Sequence, residues 1–253
     1  MPDSNLDKNE QSFFDSYYAE QLYNPAGWRL RLEREKNNLL SIAQSAGVSL
    51  GRVLSLGCGD GQFELLLAPF AKEVVGVDLS PEAINIARKA ADSAGIHNVR
   101  FECASVYDAH WDDEFDTAVV LAFLHHVPES EMPSLLRRLF ASLRPNGLIY
   151  TSDPNKKALL RKVGRLTMGD SYDKYHSPDE RELDPSELQT IIKDVGFCKV
   201  SLYWPDFTLI PALFVLAKGP SWPLYLCKVV DAILSRTPLR PWSSTFALAA
   251  RKP

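Results

Sequence analysis

Short, strongly apolar runs alternate with segments of helical periodicity from residue 52 to residue 153. The runs are Arg52–Gly57, Glu73–Asp78, Asn98–Cys103, Phe115–Ala122 and Leu148–Asp153. Strands of a parallel sheet are buried on both faces and therefore read as continuous apolar runs. Their alternation with helices predicts parallel pairing with right-handed crossovers. Because residues 199–204 and 244–251 read as two closing strands, we expect an α/β fold with a doubly wound, mostly parallel seven-stranded sheet.

Helix start and stop signals separate these runs. Ser80 precedes Pro81, and Gly95 ends the same segment, which is the usual order of an N-cap, a first-turn proline and a C-terminal glycine. A second helical pattern covers residues 129–147, and we expect it to end near Pro145–Gly147. The crossovers are therefore predicted to be helices.

Composition narrows the class of protein. The chain has 253 residues, of which 45% are hydrophobic, and a net charge of -4. A nucleic-acid partner is not expected from an acidic chain. The N-terminus has no apolar signal core, and the apolar stretch Phe207–Ala217 is too short to span a bilayer. Four scattered cysteines show no metal-ligand spacing, so we expect reduced thiols, no metal and a cytoplasmic protein.

A glycine-rich turn directly follows the first strand. Gly57, Gly59 and Gly61 alternate there, and Asp78 closes the second strand. Such a turn between a strand and a helix binds nucleotide-like ligands in α/β folds, and the acid accepts hydrogen bonds from ribose hydroxyls. In a dinucleotide fingerprint the third glycine would stand one position later, where this chain has Gln62. A dinucleotide and an adenosyl ligand both remain open at this point.

Five motifs in order resemble the class I S-adenosylmethionine-dependent methyltransferases. They are VLSLGCGDG, VVGVDLSPEAINIAR, NVRFECASVYD, FDTAVVLAFLHHV and LRPNGLIYTSD, and together they cover roughly Arg52–Asp153. The resemblance implies S-adenosyl-L-methionine as the cofactor and methyl transfer to a small-molecule acceptor, with oxygen favoured over carbon and nitrogen. It implies cofactor contacts from Gly57, Cys58, Gly59, Gly61, Asp78, Leu79, Ser105, Val106 and Leu121.

The resemblance also assigns roles within that set. The backbone around Gly57 and Gly59 would pass under the methionine part of the cofactor. Asp78 would bind the ribose, and Leu79 would pack on the adenine. Ser105 and Val106 match the positions at the adenine edge, and the carbonyl of Leu121 would face the cofactor ammonium.

Two positions depart from the family pattern. Ser55 stands where the family usually has an acid, and Ser105 stands where it often has an aspartate. Neutral hydrogen bonds are weaker than charged ones. A non-catalytic cofactor-binding or scaffold protein is therefore one alternative function, and a nucleotide-dependent oxidoreductase, disfavoured by Gln62, is another.

Three histidines are candidate general bases for an acceptor that must lose a proton. His125 and His126 follow the fourth strand, at a position that opens onto the transfer cleft in this family. His176 lies in a segment rich in tyrosine and aspartate, where the family carries substrate-shaping insertions. A loop or packing role is the alternative for each histidine.

The domain organisation follows from the same resemblance. Residues 1–46 are predicted to form an N-terminal helical lid, interrupted at Asn24–Gly27. Residues 47–253 are predicted to form the methyltransferase domain. Substrate-shaping insertions are expected at about 154–185 and 205–240.

Two features lie outside the motifs. Asn155–Arg165 is basic and contains no acid, and Phe207–Ser235 is mostly apolar with helical spacing. The apolar segment is longer than a connection between closing strands requires. It is expected to cap the active site, to contact a membrane or a lipid-like substrate peripherally, or to form a dimer interface, and the oligomeric state stays open.

Overall fold

The computed structural model describes residues 24–107, 111–168, 180–216 and 218–253. The strands are β1 (Arg52–Leu56), β2 (Glu73–Asp78), β3 (Val99–Cys103), β4 (Phe115–Leu121), β5 (Leu143–Pro154), β6 (Cys198–Asp206) and β7 (Thr245–Arg251). The α-helices are α1 (Pro25–Ser45), α2 (Gln62–Leu67), α3 (Pro81–Ala94), α4 (Met132–Ser142), α5 (Leu159–Met168), α6 (Pro185–Val195), α7 (Leu209–Val215) and α8 (Trp222–Leu234). Single 3-10 turns cover Ala68–Phe70, Leu124–His126 and Arg240–Trp242.

The seven strands form one sheet in the order β3-β2-β1-β4-β5-β7-β6. Neighbours among β1 to β5 are parallel, whereas β7 is antiparallel to both β5 and β6. Every strand except β7 therefore ends at the same edge, which we call the carboxyl edge. This confirms the predicted doubly wound, mostly parallel sheet. Ligands of such sheets bind outside this edge where the strand order reverses, here between β1 and β4.

Helices cover both faces of the sheet because the strand residues alternate between two cores. Leu54 faces the core that contains α4 and α6. Its neighbour Val53 faces the other core, where Leu39 of α1 and Leu67 of α2 pack with Tyr150 of β5. All four cysteines are free, as the sequence predicted.

One predicted boundary was wrong. α4 ends at Ser142, not near Pro145–Gly147, and β5 begins at Leu143. Proline disfavours helical conformation at the residue before it, here Arg144. Asn146 then adopts a left-handed conformation with φ 66°. The helix therefore ends before the turn that the sequence pattern included in it.

The start of α1 explains the interruption predicted at Asn24–Gly27. The Asn24 side chain caps the helix by accepting a hydrogen bond from the backbone N–H of Gly27 at 3.2 Å. α1 then packs along one face of the sheet. Residues 1–23 of the predicted lid lie outside the described residues, and the lid stays a prediction.

The long insertion between β6 and β7 forms α7 and α8. Leu209 and Leu213 of α7 are buried against Leu30 of α1 and Leu224 of α8. No α-helix within the described residues has the length and apolarity needed to cross a membrane. The insertion is thus built around α7, which packs between α1 and α8.

Arg34 of α1 fixes the insertion to the sheet. Its guanidinium pairs with Asp206 at the end of β6, and Nη1 lies 2.8 Å from Oδ2 of Asp231 on α8. Both carboxylates are almost completely buried. One guanidinium therefore pairs with two buried carboxylates, whose desolvation this positive charge partly compensates.

We expect Arg34→Ala to lower the free energy of unfolding by about 3–5 kcal/mol, because it leaves buried carboxylates unpaired. Arg29→Ala is the matched control on the same helix, since Arg29 makes only an exposed pair with Glu33. Arg29→Ala should lower the free energy of unfolding by at most about 1 kcal/mol. Urea denaturation measures both, and equal effects would contradict the anchoring role of Arg34.

Candidate functional site

The glycine turn after β1 is tied to the neighbouring strand β2. The backbone N–H groups of Gly57 and Cys58 both donate to the carbonyl of Val77, at 2.9 and 3.1 Å. Gly57 has φ 67°, and a Cβ atom there would lie 2.5 Å from the ring of Phe123. Only glycine accommodates this conformation and this close approach. The turn therefore brings the ends of β1, β2 and β4 together.

Two predicted cofactor residues of this turn face the protein core. A Cβ atom at Gly61 would collide with Phe101 and Ala87. The buried Cys58 side chain belongs to the same cluster. Burial also raises the pKa of the Cys58 thiol well above its ordinary value. These two residues pack α3 against the sheet, so their contact with a ligand would be through the backbone.

Asp78 closes the turn from the end of β2. Its Oδ2 accepts a hydrogen bond from the N–H of Gly59 at 2.8 Å, and its Oδ1 accepts one from Ser80 at 2.9 Å. Burial raises the pKa of the carboxyl group. Each carboxylate oxygen retains further lone pairs. The half-exposed Asp78 can therefore accept hydrogen bonds from a ribose while it holds the turn in place.

The predicted adenine-binding residues lie next to this carboxylate. The backbone of Asp78 accepts a hydrogen bond from Ala104 at 3.0 Å, which brings the end of β3 close. Leu79 and Ser105 are half-buried there. The side chain of Val106 packs in the main core, so its contact with an adenine would also be through the backbone.

A buried acid that the sequence analysis missed lies beneath the turn. Ser55 Oγ donates to Oε1 of Glu64 at 2.6 Å, and Glu64 is 1% exposed. Its Oε2 has no hydrogen-bond partner among the described residues. Burial raises the pKa of Glu64 to about 7, against the opposing hydrogen bond from Ser55. The acid absent at position 55 is therefore present on the adjacent first turn of α2.

These residues fit the cofactor that the resemblance implies. S-adenosylmethionine carries a ribose and a positively charged ammonium. Asp78 is an acceptor for the ribose, and the orphaned oxygen of Glu64 is a buried acceptor that lacks a cation.

The end of β4 adopts an unusual backbone conformation. Ala122 follows Leu121 with φ 50°, and its N–H donates to Ser152 at 2.7 Å. A left-handed non-glycine residue costs roughly 1–3 kcal/mol and is frequent at functional sites. This turn directs Phe123 over Gly57. The half-buried Leu121 thus ends its strand beside the glycine turn, and its contact with the cofactor ammonium stays a prediction.

His125 and Asp153 form a buried pair at the carboxyl edge. His125 lies in the 3-10 turn after β4, with Nδ1 3.0 Å from Oδ1 of Asp153 on β5. The backbone N–H of His125 donates to the same oxygen at 3.3 Å. Burial raises the pKa of Asp153 to about 7. The carboxylate orients the imidazole by pairing with Nδ1. Nε2 is then the ring nitrogen that can accept a proton from another molecule.

Two further side chains surround this imidazole. Nε2 of His125 lies 3.7 Å from Oε1 of Glu180. The His126 ring lies against the His125 ring, with centroids 4.0 Å apart and an angle of 42° between the ring planes. His125, His126 and Glu180 place ligand atoms within 4.8 Å of one another, so they could hold a metal ion. However, Nη2 of Arg161 lies 3.6 Å from Oε1 of Glu180 and already brings positive charge to this carboxylate.

The structure brings together only some of the predicted catalytic candidates. His125 and His126 are adjacent at the carboxyl edge, whereas His176 lies outside the described residues. The sequence analysis missed Asp153 and Glu180. Asp153 is the last residue of a predicted apolar strand, which was the only signal for it.

Comparisons with known proteins identify the kind of domain that the chain contains. Residues 53–147 match the family model of a methyltransferase domain. A ubiquinone biosynthesis O-methyltransferase of Coxiella burnetii (strain RSA 331) is 28% identical over 158 residues, which are 62% of this chain and 66% of that protein. The protein of the same name from Azoarcus sp. (strain BH72) is 26% identical over 68% of this chain and 75% of its own length. The matched region thus spans about two thirds to three quarters of the length of these relatives.

Solved structures show the same fold. Phosphoethanolamine N-methyltransferase 2 of Haemonchus contortus, in complex with S-adenosyl-L-methionine, matches with a TM-score of 0.60 and 17% identity over 86% of this chain and 52% of that one. A SAM-dependent methyltransferase from Archaeoglobus fulgidus matches with a TM-score of 0.55 and 20% sequence identity. The match covers 79% of this chain and 86% of that one. The [4+2]-cyclase SpnF matches with a TM-score of 0.56 and 23% sequence identity. The match covers 87% of this chain and 80% of that one. At these identities the likeness shows the fold alone.

We expect Asp78→Ala to weaken S-adenosylmethionine binding by tenfold or more, because each hydrogen bond to a charged acceptor contributes about 1.5–3 kcal/mol. Asp92→Ala, on the exposed surface of α3, is the control and should bind normally. Calorimetry measures both variants, with NAD as the comparison ligand. An unchanged dissociation constant for Asp78→Ala, or micromolar binding of NAD alone, would contradict the assigned ligand.

We expect Glu64→Gln to stabilise the free protein above pH 7 by about 3 kcal/mol, since each pKa unit corresponds to about 1.4 kcal/mol. The pKa of Glu64 rises from 4.5 in the unfolded chain to about 7 in the folded one. Its contribution to stability is therefore complete below pH 4.5 and is lost as the pH rises through 7. Glutamine does not ionise and avoids this loss. Denaturation at pH 5 and pH 8 measures the difference between the variants.

The same variant should bind S-adenosylmethionine at least tenfold more weakly, because the buried negative charge is gone. Ser55→Ala keeps the acid and is the matched control for binding. If Glu64→Gln binds the cofactor as well as the unchanged protein does, Glu64 does not face the ammonium.

Proposed function

Because the chain belongs to the class I S-adenosylmethionine-dependent methyltransferases, we propose that it methylates a hydroxyl oxygen of a small, apolar molecule. The observation that carries the choice of oxygen is the buried pair of His125 and Asp153 at the carboxyl edge. A hydroxyl must lose its proton during transfer, and a histidine oriented by a carboxylate is suited to accept it. The ubiquinone biosynthesis O-methyltransferases among the relatives support the same acceptor atom.

The cofactor supplies the reactive methyl group and its leaving group. The residues of the glycine turn then have binding and orienting roles. Asp78 accepts hydrogen bonds from the ribose, and Glu64 places negative charge near the ammonium. The half-buried Leu79 and Ser105 border the adenine. This arrangement fixes one reactant at the reversal point between β1 and β4.

His125 acts on the acceptor. With Asp153 ionised, the Nδ1–H group keeps its proton and donates a hydrogen bond to that carboxylate, and Nε2 takes the proton from the acceptor hydroxyl. The imidazolium that forms lies between Asp153 and Glu180, and both carboxylates stabilise its charge. Proton removal leaves the oxygen as a stronger nucleophile in line with the methyl group.

The alternative functions gain less support. A non-catalytic binding protein was the alternative left open by the neutral Ser55 and Ser105, and Glu64 provides a carboxylate beside Ser55. Such a protein has no use for a buried histidine–aspartate pair, whose desolvation is unfavourable for stability. An unprotonated amine acceptor would not need this base, so nitrogen ranks below oxygen.

We expect His125→Gln to lower kcat about a hundredfold or more while the cofactor dissociation constant changes little. In the unchanged protein kcat should rise as the pH passes 7, because Asp153 becomes ionised and accepts a hydrogen bond from the Nδ1–H group. The assay follows methyl incorporation into a panel of phenols, aliphatic alcohols and amines. His97→Gln, an exposed histidine after α3, is the control.

Three results would contradict this assignment. A large loss in His126→Gln without one in His125→Gln would move the base to His126. Methylation of amines alone, at a rate that does not depend on His125, would exclude oxygen as the atom that accepts the methyl group. Loss of activity with a chelator and its recovery with a divalent cation would mean that His125, His126 and Glu180 bind a metal.

A further inference from the structure

α8 exposes its apolar face. Trp222, Val229 and Ile233 lie on one side of this helix, and 66%, 59% and 60% of their surfaces are exposed. The fully buried side chains of α8 are Leu224 and the acid Asp231. Helices of water-soluble domains normally bury the apolar face instead. The orientation of α8 is therefore the reverse of that in an ordinary surface helix.

The contacts of Asp231 show what holds α8 in this orientation. Its Oδ1 accepts hydrogen bonds from the backbone N–H groups of Phe207 and Thr208, at 3.1 and 2.8 Å. Its Oδ2 pairs with Arg34 of α1. A rotation of α8 that buried its apolar face would break all of these contacts. The outward direction is thus specified by the protein itself.

A second helix extends the same kind of surface. Leu159, Val163 and Leu166 of α5 are 55%, 46% and 86% exposed. α7 packs against both α5 and α8 and connects them. We call the exposed apolar side chains of α5 and α8 the apolar platform. Contiguous patches of this kind mark protein or membrane contacts.

The exposed charged side chains on α5, on α8 and in the turn after α8 are all basic. Lys162, Lys228, Arg236 and Arg240 are exposed in these segments. Among the described residues from 156 to 168 and from 207 to 243, the one acid is the buried Asp231. A basic surface with large apolar side chains is typical of elements that lie in the interface of anionic membranes.

The platform lies at the catalytic edge of the sheet. α5 follows the end of β5, and α7 and α8 follow the end of β6. Both strands end at the carboxyl edge, as do β1 with the glycine turn and β4 with His125. A surface that engages the platform therefore also lies near the site of methyl transfer.

We propose that the apolar platform docks on an anionic lipid bilayer and that the methyl acceptor is an amphipathic molecule resident in that bilayer. The acceptor class rests on the proposed function, whereas the docking does not. A second copy of the chain fits less well, because a two-fold contact between platforms would bring like charges together. α8 lies in the headgroup region with its axis along the surface, since it is too short to cross the membrane.

Vesicle co-sedimentation of the full chain tests the docking. We expect binding to phosphatidylcholine vesicles that contain phosphatidylglycerol, and weaker binding at high salt, because exposed charges are screened there. Val229→Asp should reduce binding about tenfold or more, since burial of one valine stabilises by at least that factor. Lys228→Glu should reduce binding to anionic vesicles and weaken its salt dependence, while the other basic residues keep part of both.

Matched controls lie at the opposite edge of the sheet. Phe70→Asp changes an exposed aromatic residue before β2, and Lys72→Glu reverses an exposed charge beside it. Both should bind vesicles normally. Circular dichroism establishes that each variant is folded, which is expected because the substituted side chains are exposed.

Several outcomes would overturn the docking. These are absence of vesicle binding at either salt, equal binding by Val229→Asp, or equal binding to vesicles without phosphatidylglycerol. Self-association in sedimentation velocity that Val229→Asp abolishes, without vesicle binding, would identify an interface between copies instead.

A kinetic comparison tests the acceptor class. A phenol with a long alkyl chain, presented in vesicles, should show a KM raised about tenfold or more in Val229→Asp, in parallel with the lost binding. A short water-soluble phenol should react unchanged in the same variant. Equal effects on both phenols would overturn the bilayer-resident acceptor. Because vesicle binding requires no turnover, failure of the docking and failure of O-methylation are separate results.

Discussion

The common direction of the strands is the constraint on which the rest of this molecule depends. β1 to β6 all end at the carboxyl edge, so the loops that bear chemistry converge there. Polar side chains at such an edge become buried by the loops themselves. Glu64, Asp153 and Asp206 are each almost fully buried, and burial raises the pKa of each. The functional edge is therefore also the place where desolvation lowers stability most.

α1 offsets part of this cost. Arg34 pairs with Asp206 and Asp231, while Glu35 accepts hydrogen bonds from Tyr150 at 2.6 Å and from Ser152 at 2.9 Å. The same helix buries leucines against the sheet. α1 thus connects β5, β6 and α8 through polar contacts that exclude water.

Much of the fold could be predicted from the sequence because its signals are local. Apolar runs and capping residues define elements over a few positions, and the glycine turn with Asp78 defines the ligand end of the sheet. The end of α4 was misplaced because its helical periodicity continues up to Pro145, although the proline already excludes helix at Arg144. Local patterns therefore predicted the elements better than their boundaries.

The site could be predicted only in part, because its remaining residues depend on contacts across the chain. The pairing of Ser55 with Glu64 replaces an acid at one position with an acid on the next element, and no pattern within either segment indicates it. Asp153 acquires its role only when β5 lies beside β4 and brings the carboxylate to His125. Helical spacing predicted an apolar face on α8, but the direction of that face depends on Asp231 and its partners.

These long-range contacts also link the helix proposed to dock on the membrane with the strand that carries Asp153. Arg34 fixes α8, and the next residue, Glu35, fixes the strand that carries Asp153. Adjacent residues of one helix therefore hold both α8 and the strand that carries Asp153. In the docked state the separation between membrane and methyl group is then determined by packed secondary structure. An acceptor anchored at one depth in a bilayer requires a fixed separation of this kind, because it cannot adjust its own height.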